Sequence, residues 1–94
     1  MTKVNVLSWQ EIPSLVEARD SGGAHKIELS LKFQELIDLI AMKRGLDGSD
    51  DYLMQWGKKK RPDTDTPAKD AAEALAAEIE AQYEQIKADA IANS

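Results

Sequence analysis

Apolar and polar positions alternate along the first thirty residues with the period of two that is typical of β-strands. The segment KVNVLSW places Val4 and Val6 on one face, and the Ile-Pro pair at 12–13 marks its end. The segments LVEARD and AHKIELS flank Ser-Gly-Gly at 21–23, where glycine permits the positive φ of a tight turn. We therefore expect a three-stranded antiparallel sheet over residues 3–29.

From residue 31 onward the apolar positions recur at spacings of three and four, which indicates a helix that buries one face. Ser30 is well placed to cap a first helix at 31–44 with its hydroxyl. Gly45 suits the left-handed position after the helix, so that Leu46 can pack back on the last turn. The predicted buried face consists of Phe33, Leu36, Ile37, Ile40 and Ala41.

A second short helix is expected at 50–57, because Ser49 can cap it and two aspartates lie in its first turn. The following segment, 58–66, is rich in charge and has the composition of a linker. Thr66 then caps a long helix at 67–92, which starts with proline and is rich in Ala and Glu. Its narrow apolar stripe comprises Ala72, Leu75, Ile79, Tyr83, Ile86 and Ala90.

These elements predict an α+β fold in which a three-stranded antiparallel sheet is followed by two short helices and a long C-terminal helix. With 94 residues the chain supports one core, and we expect a single domain over 1–94. Cysteine is absent, the N-terminal apolar run is too short for a signal peptide, and no segment approaches about 18 apolar residues. A cytoplasmic location without membrane association is predicted.

The formal net charge of −5 is unevenly distributed. Residues 1–57 carry 6 basic and 9 acidic side chains, and residues 62–94 carry 2 basic and 8 acidic ones. Between them lies a candidate basic patch for nucleic acid or localisation. A cap on the preceding helix within a solvated linker is the favoured interpretation, since such short motifs often match by chance. The patch consists of Lys58, Lys59, Lys60 and Arg61.

The sequence contains no recognisable motif for metal binding or catalysis. The oxygen-bearing side chains at 47–51 resemble the start of a calcium loop, but Tyr52 and Lys58 occupy the positions where glycine and glutamate are required. A lone His25 without cysteine cannot build a zinc site, and no serine lies in a nucleophile motif. We therefore predict no catalytic, metal or cofactor-binding residue and no enzymatic activity.

The order strand, helix, KRGL, helix also matches ribbon-helix-helix DNA-binding dimers, in which two chains share a ribbon that enters the major groove. The charges oppose this alternative. The outward strand residues would be Lys26 and Glu28, and the second helix would present Asp50 and Asp51 to a phosphate. Nucleic acid binding is disfavoured, and the mass in solution would separate the alternatives because the ribbon requires two chains.

Three strings resemble a known family: SW-x-x-IP at 8–13, K-x-x-LS-x-x-FQ-x-x-ID-x-x-AM-x-x-GL at 26–46, and D-x-YL-x-x-W ending at Trp56. They are similar to the small bacterial virulence factor domain, which is similar in turn to the C-terminal module of conserved virulence factor C proteins. The resemblance covers roughly residues 4–91 and implies no activity, cofactor or catalytic residue. Members tend to carry an aromatic residue before the first tryptophan, where this chain has Ser8.

Four large apolar residues lie at the ends of predicted elements and form a candidate interaction surface. Such residues are either core lids or interface anchors, and core is favoured because the chain has only five aromatic residues. The most consistent function is a noncatalytic module that binds an unidentified protein partner, with the DNA-binding dimer as the alternative. The four residues are Trp9, Ile12, Pro13 and Trp56.

Overall fold

Four antiparallel strands and four helices make up the described part of the computed structural model, which comprises residues 1–46, 48 and 50–94. The predicted cap Ser49 and the candidate calcium positions Asp47 and Ser49 lie outside it. In the sheet the strand order is β3-β2-β1-β4. The elements are β1 (Thr2–Trp9), β2 (Ile12–Asp20), β3 (Gly23–Glu28), α1 (Leu31–Lys43), α2 (Asp50–Met54), β4 (Trp56–Thr64), α3 (Ala68–Ala81) and α4 (Tyr83–Ala92).

The first three strands form two consecutive hairpins, of which the sequence predicted the second. Ile12 and Pro13, which were expected to mark the end of the first strand, instead begin β2. β1 and β2 are joined by a two-residue turn between the paired residues Trp9 and Ile12, and Gln10 in this turn has a positive φ of 51°. β2 and β3 are joined after Asp20, where Gly23 has a φ of 136° that an L side chain rarely adopts. The α+β class and the glycine hairpin are thus confirmed.

One face of the sheet forms the core. Val4 lies opposite Ala18 and Val6 lies opposite Val16, and all four side chains are buried. α3 packs across β1, β2 and β3 on this side, using Ala72, Ala76 and Ile79 among others. The neighbouring residues of each strand point to the opposite face, which no long helix covers along most of its length.

The fourth strand corrects the prediction of a linker at 58–66. β4 contains the basic run and pairs with β1 over almost its whole length, although none of its side chains is buried. Lysines and a proline are typical of an edge strand, and Pro62 lies where the pairing changes register opposite Lys3. Because β4 begins at Trp56, the helix predicted at 50–57 is shortened to α2.

α1 agrees with the helix predicted at 31–44. Gly45 has a left-handed φ of 70°, its N–H donates to the carbonyl of Met42, and the N–H of Leu46 donates to the carbonyl of Ala41 over 2.8 Å. This is the Schellman arrangement that satisfies the last carbonyls of a helix. The buried side chains of α1 are those predicted, namely Phe33, Leu36, Ile37, Ile40 and Ala41.

The cap predicted for Ser30 is replaced by a tertiary contact. The Ser30 hydroxyl makes no hydrogen bond to its own helix and instead donates to Glu80 Oε1 over 2.7 Å. The Ser30 N–H donates to the other carboxylate oxygen, also over 2.7 Å. The hydroxyl bond, supported by the N–H, holds the pKa of Glu80 below its ordinary value. The carboxylate therefore joins the start of α1 to α3.

The continuous helix predicted at 67–92 is two helices that meet at Gln82. α3 follows the sheet, whereas α4 turns to pack against α1, where the rings of Phe33 and Tyr83 meet edge to face at 5.1 Å. High helix propensity continues through the break, so this packing is the physical reason that we assign to it.

The start of α3 is capped by a distant side chain rather than by Thr66. Asp20, at the end of β2, accepts hydrogen bonds from the N–H groups of Ala68 and Gly22, each over 2.8 Å. These two bonds, that to Ala68 first, hold the pKa of Asp20 below its ordinary value. One carboxylate thus closes the β2–β3 turn and begins the helix that covers the core.

Replacing a buried leucine of α1 should destabilise the protein far more than replacing an exposed one. Leu36 is 2% exposed and Leu31 is 71% exposed on the same helix. We expect Leu36→Ala to lower the free energy of unfolding by about 2–5 kcal/mol, and Leu31→Ala to change it by less than about 0.5 kcal/mol. Urea denaturation measures both, and equal losses would contradict the packing of α1.

Asp20→Asn should lower the melting temperature at about pH 7, and the difference from wild type should shrink as the pH falls below about 4. A carboxylate whose pKa is lowered by folding stabilises the protein above its unfolded pKa, and loses that effect as acid protonates it. Circular dichroism melts across this range measure the difference. Asp65→Asn removes an exposed carboxylate as a control, and a gap that widens in acid would contradict the cap.

Candidate interaction surface

Three of the four residues of the candidate interaction surface lie in the core. Trp9 and Ile12 have no exposed surface, and Pro13 is buried beside them. The indole N–H of Trp9 donates to the carbonyl of Tyr52 over 2.9 Å, and the two rings lie 5.5 Å apart. Trp9 therefore joins β1 to α2 and presents no surface to a partner.

Trp56 is half-buried at the start of β4, where its ring meets that of Tyr52 edge to face at 6.4 Å. It is paired with Trp9 on the neighbouring strand. The two tryptophans thus belong to one aromatic cluster, and they are not exposed together as a joint interface would require.

The candidate basic patch is divided by the alternation of β4. Lys58 and Lys60 lie opposite Leu7 and Asn5 of β1, on the face away from α3. The other two cations, Lys59 and Arg61, lie opposite the core valines and point to the helical side. The four charges therefore do not act as one patch.

The sheet instead assembles a different basic surface on its uncovered face, which we call the open face. Its charged residues come from all four strands, and its cations outnumber its carboxylates. Sequence analysis missed this surface because its members are far apart in the chain, although the alternation within each strand would have grouped them. The charged residues of this face include Lys3, Glu17, Arg19, Lys26, Glu28, Lys58 and Lys60.

A carboxylate lies at the centre of the open face. Glu17 is 8% exposed and lies between two lysines of different strands. Its oxygens are 3.5 Å from Lys26 Nζ and 3.7 Å from Lys58 Nζ. Both lysine side chains remain 64% exposed, so their ammonium groups can also contact a molecule from outside. Glu17 thus draws the cations of β3 and β4 toward each other across the sheet.

Beside this ion triad the open face becomes apolar. Leu7 and Leu15 lie opposite each other on β1 and β2, and both are half-buried. They form the floor of a cavity of about 450 Å³ that Leu31 and Gln34 of α1 also line. A smaller cavity of about 120 Å³ shares the two leucines and extends to Lys58. The open face therefore combines an apolar recess with adjacent ammonium groups.

The described residues contain no group of three or more histidine, cysteine, aspartate or glutamate side chains that could hold a metal ion. Within the same part of the chain, no helix has the length and the apolar character needed to cross a membrane.

Trp56→Phe should leave a protein whose remaining tryptophan, Trp9, is shielded from solvent. We expect its emission to lie at shorter wavelength than that of wild type and to be quenched less by acrylamide, because the exposed contribution of Trp56 is lost. Trp9→Phe, checked for folding by circular dichroism, should give the opposite shift. Equal quenching of the two variants would contradict the burial of Trp9.

The geometry can be compared with known proteins. A search of the curated proteins found no match, and a search of the solved structures found none either. The model of one protein family, described as virulence factor, matches residues 7–91. This match covers most of the chain, from the end of β1 into α4, and agrees with the resemblance seen in the sequence. The chain therefore belongs to the virulence factor family.

Proposed function

We propose that the protein is a noncatalytic protein-interaction module and that its open face is the binding surface. The observation that supports this proposal is the separation of charge. A chain with a formal net charge of −5 carries an excess of positive charge on the one sheet face that its long helices leave uncovered. Such a surface attracts partners that carry negative charge.

A protein partner fits this surface better than nucleic acid does. The strands of the open face carry aromatic residues only at one end, where Trp9 is buried and Trp56 is half-buried, so bases would find no stacking platform. The ribbon-helix-helix alternative also loses support. Its ribbon strand, β3, already pairs with β2 of the same chain, and Asp50 and Asp51 begin α2 where a phosphate would dock.

The family description supports a role of this interaction in virulence. The module would then act by binding, through the charge and the apolar recess of its open face. The acidic exposed residues of α3 and α4, such as Glu73 and Glu84, contribute solubility on the opposite side.

Photo-crosslinking in the cells that produce the protein tests the proposal. A photoreactive side chain at Ala24, exposed on the open face, should capture a distinct protein, whereas one at Ala77, exposed on α3, should not. Lys58→Glu should remove the adduct because it reverses a charge on the open face. Lys59→Glu makes the same change on the other face and should retain it.

Adducts of equal yield from both positions, or an adduct that nuclease removes, would overturn the proposal. The same two variants also test the role in virulence. Cells in which Lys58→Glu replaces the wild-type chain should be attenuated in an infection assay, and cells with Lys59→Glu should not.

A further inference from the structure

We propose that the open face binds an acidic polypeptide segment that carries one bulky apolar side chain. The apolar side chain would enter the cavity above Leu7 and Leu15, and neighbouring carboxylates would contact Lys58, Lys60 and Lys26. This inference rests on the proposed function and adds the chemistry of the partner.

The apolar recess is large enough to admit a bulky side chain, and its lining is accessible from outside. Its volume of about 450 Å³ lies within the range of about 300–1,000 Å³ that ligand sites in proteins occupy. Leu31 borders it, and 71% of the surface of Leu31 is exposed. It lies in the first turn of a helix whose other large apolar residues are mostly buried. A bulky side chain in the recess would cover Leu31, Leu7 and Leu15 together and remove their apolar surface from water.

The ammonium groups are adjacent to this recess. Lys58 lies directly opposite Leu7 on the neighbouring strand, and Lys60 follows two residues later on the same face. A segment whose apolar residue occupies the recess can therefore place carboxylates on these lysines within one or two residues of it. Glu28 lines the other side of the recess and repels carboxylates there, so the acidic residues are directed toward β4.

The ion pairs among the described residues neutralise the positive charge of the open face only in part. Glu17 offers one carboxylate to both Lys26 and Lys58, and in the described part of the chain neither Lys3, Arg19 nor Lys60 forms an ion pair. Exposed pairs are individually weak, so several carboxylates on one segment are needed for appreciable affinity. An acidic segment supplies these carboxylates, whereas a neutral apolar segment would form no ion pair with the cations.

The test measures fluorescence anisotropy of labelled peptides of about nine residues, the length that spans a strand of about 30 Å. One peptide contains Asp and Glu around a single central leucine, the second has glutamine in place of that leucine, and the third has lysine in place of the acids. A single-stranded oligothymidylate of equal charge is the fourth probe. We expect the first peptide to bind at least about tenfold more tightly than the second, and the third not to bind.

Variants of the full chain assign the binding to the open face. Lys58→Glu combined with Lys60→Glu should weaken binding of the leucine peptide at least about tenfold, because two contacts become repulsive. Lys59→Glu combined with Arg61→Glu changes the net charge equally on the other face, and should weaken binding less than about twofold at about 0.15 M salt. Leu31→Gln should lower the affinity for the leucine peptide to about the affinity that the wild-type chain has for the glutamine peptide.

Three results would overturn the inference: no binding of the acidic peptides, equal loss of affinity in the two double variants, or oligothymidylate binding as tight as that of the leucine peptide. Failure here is distinguishable from failure of the proposed function. If Ala24 captures a protein in cells but the acidic peptides do not bind, the interaction module stands and only the chemistry assigned to its partner is wrong. If both experiments fail, the open face is not a binding surface.

Discussion

The pairing of β1 with a strand on each side is the constraint on which the rest of the structure depends. Because β1 hydrogen-bonds to β2 and to β4, its alternation determines the facing of residues on both neighbours. The residues of β2 and β4 that pair with Val4 and Val6 face α3 and the core, whereas those that pair with Asn5 and Leu7 face outward. The same register separates the charges of β4 and brings Lys58 to the side where β2 and β3 contribute Glu17 and Lys26. A slip of one residue in the β1–β2 ladder would turn the buried residues of β2 outward, and one in the β1–β4 ladder would exchange the two faces of β4.

The small size of the chain explains why one face is left open. Its helices are sufficient for one layer, and α3 uses alanines to lie close to the buried side of β1 and β2 while α4 turns away to pack on α1. Among the described elements, the short α2 covers one end of the open face through Tyr52 on Trp9, and the start of α1 lies beside Leu7 and Leu15. The remaining strand surface is therefore left without a helical layer, and the lysines of β4 discourage edge-to-edge association. The lysines that protect this surface are also those through which we propose that it binds an acidic partner.

Polar side chains that are distant in sequence join the helices to the sheet and to each other, in two cases where a local helix cap was predicted. Asp20 begins α3 from the end of β2, and Glu80 of α3 binds the hydroxyl and the N–H of Ser30. Arg44, after α1, donates to both oxygens of Glu11 over 2.8 and 2.9 Å, to Gln10 and to the carbonyl of Ala90. Its guanidinium thereby joins the β1–β2 turn to α1 and α4, and holds the pKa of Glu11 below its ordinary value. Each contact satisfies a backbone or charged group with a partner distant in sequence.

The sequence by itself determined those features whose causes are local. The glycines predicted the β2–β3 hairpin and the end of α1 at Gly45, and the spacing of apolar residues predicted the buried face of α1, because turns and amphipathic periods are encoded by neighbours. Tertiary structure decided the remainder. β4 buries no side chain and is held by its backbone pairing with β1, so no hydrophobic pattern distinguishes it from a linker. The break at Gln82, the distant caps and the open face likewise depend on residues far apart in the chain, which meet only when the sheet has formed.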